Sequence, residues 1–401
     1  MAEGTLPPFR LGRLPRIEFG AGRFELVPEI VAGHGRRVAL VTGERSFQAT
    51  ARWSWLLAEL DGRAVAVETV RVSGEPSPDL VDGAVARLRP AGIEVVAGIG
   101  GGSVLDTAKA IAGLIPTGTS VRDHLEGVGP ALPYQGPSVP FVAVPTTAGT
   151  GSEASRNAVI SERGPNGFKR SFRDERLVAA DAIVDPDLLA GNSAAGIAAN
   201  GMDALTQLLE SFVSTRANPF TDALARSGLA AARDGLLAWQ ADPDGPAAPA
   251  ARSRMAYAAL LSGICLANAG LGVAHGLAAP LGAFFPIPHG AACGAVVAAG
   301  TEANVRALAA RDPDGVGLAK LAECGRLLAA DPTLDGGAAR TALVELLSSW
   351  RTSLGLPGLA AWGITPADVD RIVAGSRGSS MRTNPIELND AEVAGVVRAS
   401  L

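Results

Sequence analysis

Four histidines occur in the chain, and two of them, His275 and His289, fall in a stretch from Met255 to Thr301 that contains no Asp, Glu, Lys or Arg. An imidazole in so apolar a setting serves either as a hydrogen-bonded core residue or as a metal ligand. Turn-forming residues, Gly272 and Pro288, precede the two rings, and a carboxylate is available to join them. Asp203 lies in a helical pattern whose apolar face is Met202, Leu205, Leu209 and Phe212, with Gln207 one turn later on the same side. A carboxylate and two imidazoles together suit Zn²⁺ or Fe²⁺. His34, in a Gly-flanked loop, and His124, in a charged helix, are expected on the solvated surface.

A second chemistry is written in glycines. Gly98-Ile99-Gly100-Gly101-Gly102-Ser103 follows an apolar strand and opens a helix bearing Asp106 and Lys109. Glycines there let backbone N–H groups approach an anion, and the helix start adds partial positive charge, a pairing suited to a pyrophosphate. Taken alone, such a turn also serves close helix packing. A second loop, Pro145-Thr146-Thr147-Ala148-Gly149-Thr150-Gly151-Ser152-Glu153, again follows an apolar strand and combines glycines with hydroxyls. Two such loops at the carboxyl ends of parallel strands form a nucleotide crevice.

The elements that must position these residues alternate in the first half of the chain. Strands are expected at Arg37–Thr42, Val65–Val72, Ile93–Ile99, Phe141–Val144 and Ala182–Val184, with helices at Phe47–Leu60, Asp79–Leu88 and Val104–Leu114. A hairpin is expected around Ala158 to Phe172. This order predicts a mostly parallel sheet covered on both faces. Beyond Pro186 the β-branched runs stop, and Ile197–Val213, Phe220–Leu237, Ser253–Ala267, Gly290–Arg306, Val316–Leu328 and Ala338–Leu354 suit helices. The fold class is therefore α/β followed by all-α, with domains at residues 1–187 and 188–401.

Composition excludes several classes. With 401 residues, 47% hydrophobic and 19% charged, the chain has the balance of a globular protein rather than a disordered one. A net charge of -5 and no Lys/Arg run argue against nucleic acid as a partner. The stretch from Met255 to Thr301 is long enough to span a bilayer, but Pro280, Pro286, Pro288, Asn268 and the two histidines would leave polar groups unsatisfied in lipid. It is expected to be the dry interior of the second domain, so no membrane association is expected. Three cysteines, Cys265, Cys293 and Cys324, lack CxxC spacing and sit among apolar neighbours, which predicts reduced core thiols and a reducing cytoplasm. The segment Met1 to Arg16 has no apolar run of the kind a signal peptide needs.

Five runs, in order, carry a resemblance: GGGSVLDTAKAIA (100–112), PTTAGTGSEAS (145–155), IVDPDLL (183–189), GMDALTQLLESFVS (201–214) and LANAGLGVAHGLAAPLGAFFPIPHG (266–290). Together with SSMRTNPIEL (379–388) they resemble the iron-containing alcohol dehydrogenase family over nearly the whole chain. The resemblance implies a Rossmann-like amino-terminal domain and an all-helical carboxyl-terminal domain, a dehydroquinate synthase-like fold, with nicotinamide cofactor and metal held in a cleft between them. It implies that Gly100, Gly101, Gly102, Ser103 and Asp106 hold the pyrophosphate, and that Thr146, Thr147 and Ser152 contact the nucleoside and nicotinamide ends. Where many members carry an acidic residue against the adenosine ribose, this chain has Gly43, with Arg45 and Ser46 close behind. That change leans NAD(P)(H) usage towards NADP(H), while Glu44 pulls the other way.

The resemblance also marks departures. Members present an Asp and three His as metal ligands, and the first of those His positions is Gln207 here. A further His, thought to relay protons, is Ala279 here. Asp203, His275 and His289 remain, the three-ligand set of the related zinc glycerol dehydrogenases, so zinc is expected ahead of iron, with a metal-free descendant as the alternative. Gln207 is expected either to offer its amide oxygen as a weak fourth ligand or to hydrogen-bond Asp203.

With metal bound, the expected chemistry is hydride transfer between a CH–OH group and nicotinamide. Loss of two imidazoles, with Gln207 flexible, predicts a roomier pocket, a substrate larger than a short alcohol and slow turnover on simple alcohols. Such a substrate is a small molecule or a peptide, for example a β-hydroxy acid or a peptide terminus that loses CO₂ after oxidation. A lyase or cyclase resembling dehydroquinate synthase and a metal-free nicotinamide-binding protein are the competing readings. The family-like strand at Ile17 to Gly22 predicts at least a homodimer, since a strand edge needs cover.

Overall fold

The computed structural model describes residues 6, 8–44, 46–164 and 167–401. They divide into two compact units, one of Arg13–Ala190 and one of Gly191–Leu401 joined by the segment that ends at Gly12. Assigning the whole amino terminus to the α/β part is therefore corrected: the Gly12 N–H donates to Asn268 Oδ1 at 2.7 Å, inside the helical unit.

In the α/β unit, β1 (Arg16–Phe19), β2 (Arg37–Gly43), β3 (Ala66–Val72), β4 (Val95–Gly100), β5 (Phe141–Pro145) and β8 (Asp181–Val184) form one parallel sheet in the order β1-β8-β5-β4-β2-β3. Side chains alternate across a strand, so Val38 and Leu40 of β2 face one layer and Ala39 and Val41 the other. The first layer is α1 (Val27–His34) and α2 (Ala51–Gly62), through Val27, Val31, Leu56 and Leu60. The second is α3 (Pro78–Leu88) and α4 (Gly102–Thr117), through Val81, Val85, Leu105 and Ile111. β6 (Asn157–Glu162) and β7 (Phe168–Arg173) make an antiparallel hairpin that adds Ile160 and Phe172 to this second core. From β2 the chain runs outward to β3 and returns at β4 on the other side of β2. The carboxyl ends of β2 and β4 therefore flank the point where strand order reverses, where such sheets bind ligands.

Two histidines expected on the open surface are tied into this unit instead. His34 ends α1 with Nε2 2.6 Å from the buried carboxylate of Asp181, which Arg16 also reaches at 2.7 Å. His124 stacks on Phe172 with ring centroids 5.2 Å apart, and its Nδ1 lies 3.0 Å from the Leu132 carbonyl.

The second unit is helical: α5 (Ala194–Val213), α6 (Pro219–Ala241), α7 (Ala248–Ala269), α8 (Val273–Phe284), α9 (His289–Arg311), α10 (Val316–Ala329), α11 (Gly336–Ser353), α12 (Val369–Gly375) and α13 (Asp390–Ala399). Among the described residues no single helix is long and apolar enough to cross a membrane; α7 and α8 meet that test only as a pair bent by 101°. α5 is nearly all buried from Gly201 to Val213, which is why polar residues on it need partners within the protein.

Candidate functional site

The glycine loops are adjacent, as the sheet order requires. Gly100 ends β4 beside Pro145 of β5, and the Thr146 N–H donates to the Gly100 carbonyl at 3.0 Å. Gly101 caps α4, so the first amides of that helix, at Gly102 and Ser103, have no carbonyl a turn earlier to bond. A Cβ on Gly102 would lie 2.6 Å from Thr150, and one on Gly101 3.2 Å from Thr147. The missing side chains let the two loops close on each other and keep the helix start bare, a setting that fits a pyrophosphate. Thr146, Thr147 and Ser103 are half-buried around it. Gly43 ends β2, and a Cβ there would meet nothing nearer than Ser46 Oγ at 3.9 Å. Arg45 lies outside the described residues.

Two of the expected cofactor contacts have another task. Asp106 and Ser152 are buried against each other, with Ser152 Oγ donating to Asp106 Oδ1 at 2.6 Å and the Val159 N–H donating to Oδ2 at 3.1 Å. Lys109, one turn after Asp106 and 0% exposed, shares its three N–H donors among Ser152 O, Ser152 Oγ, Ser155 Oγ and Asn157 O, which lie 2.7–3.2 Å from Nζ. A carboxylate is a poor holder of pyrophosphate because like charges repel. Here its charge is met by Lys109, and the network pins the second loop to α4.

Burial pulls the Lys109 ammonium down to about 8 against the attraction of Asp106 and Glu153. It pushes the neighbouring Glu153 carboxyl up to about 7, more than Lys109 offsets. A carboxyl with a raised folded-state pKa costs stability as pH climbs from its unfolded value to its folded one. Glu153→Gln is therefore expected to melt a few degrees above the wild type at pH 8, with the gain shrinking towards zero near pH 4.5. Melting curves across that range check it; a gain independent of pH refutes the buried charge as its cause.

In the helical unit three elements bring the predicted ligands together. Asp203 projects from α5, His275 is in the first turn of α8, and His289 is the first residue of α9. His275 Nε2 lies 3.2 Å from Asp203 Oδ1, and His289 Nε2 lies 3.8 Å from the same oxygen. Glycine makes the approach possible: a Cβ on Gly290 would lie 2.1 Å from the Ala199 carbonyl, so α9 rests directly on the α5 backbone.

Two members of this cluster were not anticipated. Cys293, one turn after His289, places Sγ 3.9 Å from His289 Nε2, and donor atoms of Asp203, His275, His289 and Cys293 all lie within 4.8 Å of one another. Glu210, two turns after Asp203 on α5, accepts from the Ala274 N–H at 2.6 Å and pairs with His275 Nδ1 at 2.7 Å. It thereby caps α8 and orients the ring. The i, i+4 spacing of His289 and Cys293 and the i, i+7 spacing of Asp203 and Glu210 were visible signals for both.

Gln207 donates its amide to Asp203 Oδ1 at 3.1 Å, while its oxygen accepts from Ser262 Oγ at 2.8 Å. Of the two roles expected for it, the hydrogen bond to Asp203 is the one the structure shows, and the amide oxygen is turned to α7. Held at both ends and buried, it is not the flexible side chain that would enlarge a pocket.

Burial disfavours charge at Asp203, His275 and Cys293, and the attractions between neighbours prevail at the first two but not at the thiol. His289 and His275 hold the Asp203 carboxyl below its usual range. Cys293, Asp203 and Glu210 hold the His275 imidazole well above its own. Burial pushes the Cys293 thiol up to about 11. On geometry the set fits a divalent metal. A tetrahedral site with bonds of 2.0–2.3 Å spaces its donors roughly 3.3–3.8 Å apart; separations of 3.2, 3.8 and 3.9 Å within the group are close to that, and a carboxylate already backs one imidazole.

A nucleotide-type crevice in one unit and a metal-type donor group in the other are what a metal-associated, nucleotide-using enzyme presents. The pattern described as iron-containing alcohol dehydrogenase matches residues 15–186, and that of the Fe-containing alcohol dehydrogenase family, C-terminal, matches residues 197–401. The chain belongs to the iron-containing alcohol dehydrogenase family. Alcohol dehydrogenase 4 of Saccharomyces cerevisiae is 35% identical over 281 residues, 70% of this chain and 71% of that protein. Lactaldehyde reductase of Escherichia coli is 33% identical over 282 residues, 68% of this chain and 70% of that one. Among solved structures, 1,3-propanediol oxidoreductase superposes with a TM-score of 0.87 at 27% identity, covering 98% of this chain and all of its own. Sulfoacetaldehyde reductase from Bifidobacterium kashiwanohense, in complex with NAD+, gives 0.84 at 25% identity over 98% of this chain and 99% of its own.

Proposed function

We propose that this enzyme transfers hydride between NAD(P)(H) and a hydroxyl-bearing substrate larger than a short alcohol, with a divalent metal, zinc ahead of iron, held by Asp203, His275 and His289. The observation that carries the reading is the donor group itself, buried except for a half-buried His289, with Glu210 behind one imidazole. Reductases of lactaldehyde and sulfoacetaldehyde among the relatives support an alcohol and aldehyde pair as the reacting groups. Bound metal supplies Lewis-acid polarisation of a substrate oxygen.

The chain's own residues do the rest. Glu210 accepts the Nδ1 proton of His275, so that when the Nε2 proton now facing Asp203 is given up, its lone pair is the one available to an ion. Gln207 donates to the Asp203 oxygen and fixes the carboxylate. The bare start of α4 receives the cofactor pyrophosphate through the amides of Gly102 and Ser103, with Thr146 and Thr147 beside it. Ala279, one turn after His275, carries no titratable group, so a proton released on oxidation has to leave by solvent or another side chain rather than through position 279. That route makes turnover on simple alcohols slow, and the small Ala279 side chain favours a bulkier substrate. Three buried, unbridged thiols support a cytoplasmic setting, and β1 at the end of the sheet supports a homodimer.

The test is a balance of cofactor against product. Metal-loaded protein is given NAD+ or NADP+ with a panel of alcohols, and reduced nicotinamide is counted against carbonyl product. One equivalent of each, lost on chelation, supports the dehydrogenase; product without accumulating NAD(P)H returns the chain to the lyase reading.

Cofactor choice has its own test at Gly43. The space around its Cβ direction accepts a side chain, and a carboxylate there repels a 2′-phosphate while accepting bonds from ribose hydroxyls. Gly43→Asp is expected to lower the NADPH to NADH preference about tenfold, read as the ratio of kcat/KM values. An unchanged ratio removes position 43 from cofactor selection.

A further inference from the structure

We infer that Cys293 is the fourth protein ligand of the metal, supplying from α9 the donor that Gln207 does not supply from α5; this rests on the metal reading above. The sulfur shares the 4.8 Å donor cluster with Asp203, His275 and His289, and it approaches His289 Nε2 to 3.9 Å from one turn along the same helix. The other two thiols are placed differently: Cys265 Sγ donates to the Thr221 carbonyl at 3.5 Å, and Cys324 lies on α10. In the arrangement present Gln207 turns its NH₂, not its oxygen, to Asp203, so it would have to flip its amide and give up that bond to become a ligand, whereas the Cys293 sulfur already lies in the donor cluster. Binding is balanced as M²⁺ plus thiol giving a metal–sulfur bond and one proton released to solvent. A set of one carboxylate, two imidazoles and one thiolate is softer than one of carboxylate and imidazoles alone. It selects Zn²⁺ and Co²⁺ over Fe²⁺.

Cobalt makes the bond visible. Apo-protein is titrated with Co²⁺ alone, and absorption is recorded for the wild type, Cys293→Ser and Cys293→Ala, with circular dichroism as the check on folding. The wild type is expected to show visible d–d bands together with a near-ultraviolet sulfur-to-cobalt charge-transfer band that saturates at one equivalent. Both variants are expected to lose the charge-transfer band, Cys293→Ser keeping d–d bands of changed intensity. Wild-type d–d bands without charge transfer would overturn Cys293 as a ligand and leave the three-ligand reading standing. A charge-transfer band that survives in both folded variants also overturns it. No cobalt bound by folded wild type ends both readings together.

Discussion

Replacing Asp203 and His275 together by alanine is expected to abolish metal binding and to lower kcat/KM for any alcohol by about a thousandfold or more. Lewis-acid stabilisation of the reacting oxygen contributes several kcal/mol, and each 1.36 kcal/mol is a factor of ten in rate. Asp203 is the hub of the cluster, since one of its oxygens faces His275, His289 and the Gln207 amide. Removing it with His275 leaves His289 and Cys293, too few donors to hold an ion against water. The glycine loops proposed to hold the cofactor lie in the other compact unit, so NAD(P)H affinity is expected to survive. Elemental analysis beside nicotinamide fluorescence separates the outcomes. Loss of metal with retained cofactor binding is the expected pair. Turnover unchanged in a metal-free variant would place the chemistry elsewhere and favour a metal-independent oxidoreductase.

Local signals made most of the fold legible. The strands expected at Ile93–Ile99 and Phe141–Val144 and the helices expected beyond Pro186 stand in the structure at nearly those bounds. The strands are legible because they are short apolar runs closed by turn residues, and the helices because β-branched runs stop and long Ala- and Leu-rich segments follow. α8 was not read as a helix, since Gly276, Pro280 and Gly282 lower its intrinsic propensity; its first turn is secured from outside, by Glu210 and by Asn384 Oδ1 accepting the Val273 N–H at 3.0 Å. Asp203, His275 and His289 were legible because polar residues in a charge-free interior need a reason to be there.

The partners of those residues were not. Ser262, which turns the Gln207 oxygen away from Asp203, lies 55 positions along the chain, and Ser152, which occupies Asp106, lies 46 away. Pairings of that kind are made by tertiary packing and leave no spacing to count. Cys293 and Glu210 are a different case. Both sit on the same helix face as an expected ligand, but a cysteine among alanines reads as core and a glutamate two turns away reads as surface until burial is known.

Glu210→Gln is expected to weaken metal affinity roughly 10- to 100-fold, the usual cost of losing a carboxylate behind a ligating imidazole. The argument turns on donors and acceptors. Glu210 receives the Ala274 N–H with one oxygen and His275 Nδ1 with the other, so both of its oxygens must accept. A glutamine has a single oxygen. If that oxygen keeps the α8 amide, its NH₂ faces Nδ1, the ring proton stays on Nε2, and the lone pair available to an ion there is lost. If the oxygen keeps Nδ1, an NH₂ points at the Ala274 N–H and the start of α8 loses its cap. The first arrangement predicts a raised metal dissociation constant with little change in melting temperature, and kcat recovered at saturating zinc. The second predicts a lower melting temperature as well, because an unmet buried amide costs about 1–3 kcal/mol. A merely structural role for Glu210 would shift stability alone, leaving the metal titration of the folded variant where it was.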